Sequence, residues 1–325
     1  MMKAQTITIV GLGRTGTSVG LAVQEKLDMT LVGYDEDDEV AQAALGVGAV
    51  HKTERNLAKA ARQADILILT TAVSELEDNL RTIGSEVQEH TLILDFSNLK
   101  GPGLAWAQQY LQRGHYVGAS PVLAARWLDD GRDTPEAAAA DLFQNSVFCL
   151  MPTPDVDPDA VQTAVNVGLV MGARPYFIDP DEYDNLLQGT ETLPGLIAAA
   201  LFKTAQKSSA WADILRFAGQ PFNLATQPLA HNEDITLMAL NDKEATLHWL
   251  EALIEELADL RRLIAENDPE VVTAVLEELS IERDKWLLKR EKNEWEDQSA
   301  PDTEQHSMLG QMFGGFAAGR RKKSD

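Results

Sequence analysis

The stretch Val10-Gly11-Leu12-Gly13-Arg14-Thr15-Gly16 restricts the fold of this chain more than any other feature of it. A G-x-G-x-x-G pattern is common by chance, so its context decides. Here it follows directly on Thr6-Ile7-Thr8-Ile9-Val10, a β-branched apolar run, and opens a helix-compatible segment, 14–27. In a strand–turn–helix unit the first glycine permits the tight turn. The second lets a pyrophosphate approach the backbone, and the third lets the helix pack on the strand. The helix N-terminus then directs unpaired N–H groups and a partial positive charge at the phosphates. A second apolar run, 30–35, ends at Asp35, 19 residues after Gly16. A carboxylate there accepts hydrogen bonds from the adenosine ribose hydroxyls. Glu36, Asp37 and Asp38 follow it, and four acids in a row repel a 2′-phosphate, so the expected cofactor is NAD rather than NADP. The expected cofactor contacts are Gly11, Leu12, Gly13, Arg14, Thr15 and Gly16, with the Arg14 side chain in reach of a phosphate. Asp35 joins them, with Thr70 and Thr71 at the end of a third apolar run. The plain alternative is a glycine turn without a ligand.

The rest of the first half repeats the same grammar. Strand-like runs at 6–10, 30–35, 64–71, 91–96, 115–119, 146–151 and 173–178 alternate with helical stretches such as 38–45, 54–63, 74–88 and 158–171. Such alternation predicts an α/β domain over 1–178, a Rossmann-type, doubly wound parallel sheet covered on both faces. After residue 178 strand-like runs vanish. One helix is expected around 193–217, buried on most sides. A second, 243–265, carries Leu247, Leu250, Leu253, Ile254, Leu257, Leu260, Leu263 and Ile264 on one stripe. A third starts at Asp268-Pro269, where Asp caps and Pro fits the first turn. The span 179–296 therefore reads as an all-helical domain, and so strong a stripe suggests pairing with a second copy in a homodimer. The remainder, 297–325, reads as a flexible tail. Its Met308, Leu309, Met312, Phe313 and Phe316, followed by Arg320, Arg321, Lys322 and Lys323, leave open a docking role toward a partner or an anionic surface.

Composition removes several classes. The formal charge of −23 over 325 residues repels phosphate backbones, so nucleic acid is not an expected partner. The single cysteine, Cys149, cannot form an internal disulfide, and no Cys/His spacing suggests a metal. The N-terminus enters a strand almost at once, without a signal-peptide pattern, and no apolar run approaches the ~20 residues of a membrane span. A cytoplasmic protein with a small-molecule substrate is the expectation.

The assembled parts resemble the prephenate dehydrogenase family, the prephenate and arogenate dehydrogenases of tyrosine biosynthesis. The likeness runs over most of 5–290 and is carried by "IVGLGRTGTSVGLAV", "DFSNLKGPG", "YVGASPVLA", "DPDEYDNLLQGTETLPGLIAAALF" and "RFAGQPFNLATQPLA". The resemblance implies an NAD-dependent oxidoreductase. A general base, usually His, takes the proton of a substrate hydroxyl, and arginines pair with substrate carboxylates. At the matching positions this chain departs from the pattern. The family's His-Pro is Ser120-Pro121. Its linker His-Asp is Tyr183-Asp184. Its Ser-His-Leu-Pro-His is Glu191-Thr192-Leu193-Pro194-Gly195, and its Phe-Arg-Asp-Thr-Thr-Arg is 222–227, ending in Gln227. The Ser of its Asp-x-x-Ser-x-Lys is Asn98, while Asp95 and Lys100 match.

By family position, the candidate catalytic residues are Ser120, Asn98, Lys100 and Thr192. The candidate substrate contacts are Asn223, Gln227, Tyr183 and His231. A serine has no activating base beside it in the sequence and cannot replace imidazole. Among the six histidines, His231 is the best remaining candidate base, with a capping or surface role as the alternative. His51, His90 and His306 read as surface residues, His115 begins its strand at the wrong end of the sheet, and His248 reads as structural. Lys100 is either a cation for an anionic substrate or a solvated lysine. Glu191 is a base if burial raises its pKa, and otherwise faces water. Three functions remain open: an oxidoreductase acting on a different hydroxy compound, an NAD-binding sensor or partner protein without turnover, and true prephenate dehydrogenase activity.

Overall fold

The computed structural model describes residues 5–294; the tail, with its docking motif and His306, lies outside the described residues. Residues 5–177 fold as β1 (Thr6–Val10), α1 (Arg14–Gln24), β2 (Thr30–Tyr34), α2 (Asp38–Gly46), β3 (Lys52–Thr53), α3 (Leu57–Arg62), β4 (Ile66–Leu69), α4 (Val73–Ile83), β5 (Leu92–Asp95), α5 (Lys100–Tyr110), β6 (His115–Pro121), β7 (Val147–Pro152), α6 (Pro158–Val170) and β8 (Arg174–Phe177). They form one eight-stranded sheet in the order β3-β2-β1-β4-β5-β6-β7-β8. The sheet is covered on both faces, and strand periodicity divides the core. Ile66 and Ile68 of β4 join Ile7, Ile9 and Leu31 under α1, α2 and α6. Leu67 and Leu69 join Val10 and Ile93 under α3, α4 and α5. Each of these buried Leu or Ile side chains contributes about 1.5–3 kcal/mol.

Two expectations about the sheet need correction. It is not wholly parallel, because β6 and β7 pair antiparallel, with Ser120 opposite Cys149. Residues 122–146 between them hold only two short 3₁₀ turns, Ala125–Trp127 and Pro135–Ala137. Without a crossover helix the chain can only double back. The connection from β7 to β8 does contain a helix, α6, and that pair is parallel. The second correction is β3, a two-residue edge strand on β2 that is too short to show in the sequence.

Beyond β8 the described residues are helical: α7 (Pro180–Leu187), a π-helical turn Gln188–Thr192, α8 (Leu193–Gln206), α9 (Trp211–Phe217), α10 (Gln220–Thr226), α11 (Asn232–Asn241), α12 (Lys243–Ala265) and α13 (Pro269–Lys292). The single helix expected over 193–217 is broken at Lys207–Ala210. There Ser208 Oγ accepts from the Ala210 N–H, a local bond that competes with the helix ladder. Nor is α8 buried on most sides, since only Gly195 and Ala198 are. The α12 stripe forms as read, but much of it faces outward: Ile254 is 62% and Ile264 66% exposed. Asp268 caps α13 by accepting from Glu270 N and Val271 N. The α13 helix returns to the sheet domain, where Arg290 donates to Leu123 O and Asn145 to Glu291 O. Among the described residues no helix is long and apolar enough to cross a membrane.

Candidate active site

The glycine turn sits at the carboxyl end of β1, beside the point where strand order reverses between β2 and β4. Gly11 takes a φ of +87°, which side-chain-bearing residues rarely adopt. A Cβ on Gly16 would lie 2.0 Å from Gly11 O, so only glycine lets α1 seat against the turn. No side chain caps α1. Asp35 stands just past the end of β2. Its Oδ2 accepts from Leu12 N at 2.7 Å and its Oδ1 from Asp37 N at 2.9 Å.

Two cavities meet here. One, about 330 Å³, is lined by Gly11, Gly13, Tyr34, Asp35 and Glu36 and continues along Ser74, Glu75 and Asp78 of α4. The other, about 500 Å³, lies between the domains. Thr15, Phe96, Ser97 and Asn98 line its sheet side. Leu224, Gln227, His231, Asp234 and Met238 line its helical side, with Glu191 from the π-helical turn and Gly131 and Asp133 from the β6–β7 loop. Thr70 and Thr71, after β4, border both cavities. A bipartite cleft over a glycine turn fits a dinucleotide, with the smaller cavity on the side of the Asp35 carboxylate.

The larger cavity gathers titratable groups. Loss of solvent raises the Glu191 carboxyl above its usual range, and the His231 charge opposes that shift. Asp133 is raised for the same reason and opposed by the same His231. Glu191, Asp133 and His231 are all nonetheless exposed along the open cleft. The lining holds no lysine and no arginine.

The remaining candidates fall elsewhere. Arg14 does not reach for a phosphate. Its guanidinium donates to Asp130 O at 2.6 Å, Arg132 O at 3.1 Å and Ala137 O at 3.1 Å, and stacks over the Trp127 ring at 5.4 Å. A loop distant in sequence thus engages the guanidinium, with Asp130 Oδ2 also in reach of Nη2 at 3.4 Å. Lys100 is not solvated and does not line the cavity. Fully buried, it donates from Nζ to Asp95 O at 2.7 Å and Ser97 O at 2.5 Å, 3.5 Å from Asp95 Oδ2. Burial lowers its pKa, against the attraction of Asp95 and Asp184. Ser120 is half-buried and Tyr183 buried, and neither lines the cavity. Thr192 is buried with its Oγ1 unpartnered, also outside the lining, and Asn223 is exposed on α10. Of the eight residues expected to act on substrate, the cavity brings together Asn98, Gln227 and His231. Three other histidines lie outside the cavity lining: His51 Nδ1 accepts from Leu31 N, His90 pairs with Asp65, and His248 lies exposed beside Trp249.

Two carboxylates of the helical domain went unread in the sequence. Asp184 accepts from Lys100 N and Gly101 N and so caps α5, while Asp234 accepts from Ser74 N at the start of α4. Caps supplied from more than 80 residues away leave no local motif. Asp133 also went unread, although an inter-strand connection of this length without a long helix is itself a functional signal.

A twisted, mostly parallel sheet with a glycine-rich turn, a carboxylate past the second strand and a cleft closed by a helical domain defines a nucleotide-binding dehydrogenase. Residues 19–177 match the family model described as prephenate dehydrogenase, nucleotide-binding domain, and residues 179–278 the one described as prephenate dehydrogenase, dimerization domain. The chain belongs to the prephenate dehydrogenase family, and so to the oxidoreductases. Curated relatives include the prephenate dehydrogenase of Bacillus subtilis, 26% identical over 82% of this chain and 71% of that one. The cyclohexadienyl dehydrogenase of Zymomonas mobilis is 24% identical over 81% of this chain and 89% of that one. Among solved structures, the A. aeolicus prephenate dehydrogenase complex with hydroxyphenyl propionate and NAD+ superimposes with a TM-score of 0.72, at 21% identity, over 87% of this chain and 99% of that one. The Synechocystis arogenate dehydrogenase gives 0.62 at the same identity, over 87% and 100%. These structural likenesses speak to the fold.

Proposed function

We propose that the chain is an NAD-dependent oxidoreductase of prephenate dehydrogenase type that acts on a hydroxyl compound carrying less negative charge than prephenate. The observation that carries this is the make-up of the larger cavity: acids, amides, hydroxyls and one histidine, with no lysine or arginine in its lining. A dianionic substrate needs cationic partners when taken out of water. Arg14 and Lys100, the basic candidates named by the sequence, are engaged in holding loops.

Gly11, Leu12, Gly13, Thr15, Gly16 and the Arg14 backbone would hold the pyrophosphate, Asp35 the adenosine ribose, and Thr70 and Thr71 the passage between the cavities. Bound NAD+ supplies a hydride acceptor. His231 takes the hydroxyl proton as the substrate C–H leaves as hydride, and Glu191 steadies the imidazolium that forms. Asn98 and Gln227 orient the substrate by hydrogen bonds. The division near residue 178, a homodimer through the outward apolar faces of α8 and α12, and a cytoplasmic setting complete the reading.

Turnover of NAD+ with a panel of neutral and amino-bearing alcohols tests it. His231→Ala is expected to lower kcat by about 10²–10⁴-fold, the usual worth of a general base. No turnover with any panel member would favour the second reading, an NAD-binding protein without catalysis. One observation supports that reading: Ser120, at the family's base position, does not line the larger cavity.

A further inference from the structure

The second glycine of the turn, Gly13, exists so that a phosphate can come close, yet something already lies there. A Cβ built on Gly13 would find the Asp133 carbonyl oxygen at 3.8 Å and Asp133 Oδ1 at 3.9 Å. The Arg14 backbone N–H, at the first residue of α1, lies near enough to the Asp133 carboxyl to oppose the rise of its pKa. That N–H belongs to the uncapped helix end whose partial positive charge attracts anions. A carboxylate and a pyrophosphate cannot share one seat. The loop that carries Asp133 is tied from both sides. The Arg14 guanidinium binds its carbonyls at Asp130 and Arg132, and Gln227 of the helical domain donates to Gly131 O.

We propose that the β6–β7 loop seats its own anion, the Asp133 carboxylate, on the pyrophosphate position of the dinucleotide cleft, so that coenzyme enters only as the loop withdraws. The proposal rests on the reading of the cleft as a dinucleotide site. It also gives Arg14 a purpose other than phosphate contact: it anchors the strap. Because Gln227 ties the strap to the helical domain, coenzyme entry and the position of that domain are coupled. The apparent affinity of the wild-type chain is the intrinsic affinity reduced by the fraction of molecules with the strap withdrawn.

The test is calorimetric titration of the full chain, as wild type, Asp133→Asn and Gln227→Ala, with NAD+, ADP-ribose and adenosine. Asp133→Asn removes the competing charge and Gln227→Ala loosens the strap while leaving Asp133 in place. Both variants are expected to bind NAD+ and ADP-ribose about tenfold more tightly or better, the fold-change that about 1.4 kcal/mol of lost strap contact gives. Adenosine, which carries no phosphate, should bind all three forms alike. Should Asp133→Asn fail to fold, Gln227→Ala alone decides. Wild-type binding of NAD+ with equal or weaker binding by the folded variants overturns the strap and leaves the dinucleotide reading standing. No binding of any nucleotide by any form overturns both.

Discussion

Replacing Lys100 by Met should be among the most damaging single changes in the sheet domain. Nζ is fully buried and makes hydrogen bonds of 2.7 and 2.5 Å to the carbonyls of Asp95 and Ser97, with Asp95 Oδ2 at 3.5 Å. Asp95 is equally buried, and without the lysine it keeps only the Tyr116 hydroxyl at 2.7 Å and the Ser97 N–H at 2.8 Å. Methionine fills most of the volume, so packing is nearly conserved and the loss is electrostatic. Breaking a buried pair by removing one partner costs about 3–5 kcal/mol. For a unit of 150–250 residues, such as the sheet domain, that corresponds to a fall in Tm of roughly 6–20 °C. Thermal and urea unfolding of wild type, Lys100→Met, Asp95→Asn and the double variant form the cycle. The double variant should be more stable than the sum of the single losses predicts, because its second change removes the stranded charge. A Lys100→Met variant within about 1 kcal/mol of wild type, or strict additivity in the cycle, would refute the reasoning.

Three further outcomes follow from single sites. Burial alone would raise the Asp65 pKa, but the N–H groups of Gln5 and Thr6 and the His90 ring outweigh it and hold the carboxyl below its usual value. A depressed carboxyl contributes stability above the unfolded pKa of about 4 and loses it as pH falls through the folded value. Asp65→Asn should therefore lower stability by about 1 kcal/mol at neutral pH and flatten the acid limb of a stability-against-pH curve. The Cys149 thiol is 8% exposed and pushed up to about 11 by burial, so a thiol reagent at pH 8 should label native protein far more slowly than unfolded protein. Asp35→Ser should weaken NAD+ binding by about tenfold and narrow the preference against NADP+, read from the two Kd values.

What could be read in the sequence was local. The glycine turn shows because its demands fall on consecutive residues, and β4 and β5 show because four buried positions in a row leave an apolar run. Strand direction carries no such trace: nothing in 146–151 tells that β7 runs against β6, since the connection, not the strand, decides it. The candidate site was legible only where position along the chain and position in the cleft coincide. Asn98, Gln227 and His231 line the cavity because each lies on a segment that ends there. Arg14, Lys100 and Tyr183 were misread for a common reason. A cationic or phenolic side chain reads as solvated or functional until its surroundings in the fold are seen: Arg14 is held by the 130–137 loop, Lys100 by the end of β5, and Tyr183 is buried with Cys149 and Met151. Asp133 lies in a polar stretch, Asp129-Asp130-Gly131-Arg132-Asp133, that looks like any solvated loop.

The central claim is that a dinucleotide sits on the turn Gly11–Gly16 with its ribose at Asp35. Calorimetric titration of the intact protein with NAD+ and with NADP+ tests it most directly. Saturable binding of one NAD+ per chain, with NADP+ at least tenfold weaker, is the predicted result. No heat from either coenzyme, in protein shown to be folded by its unfolding transition, would contradict it.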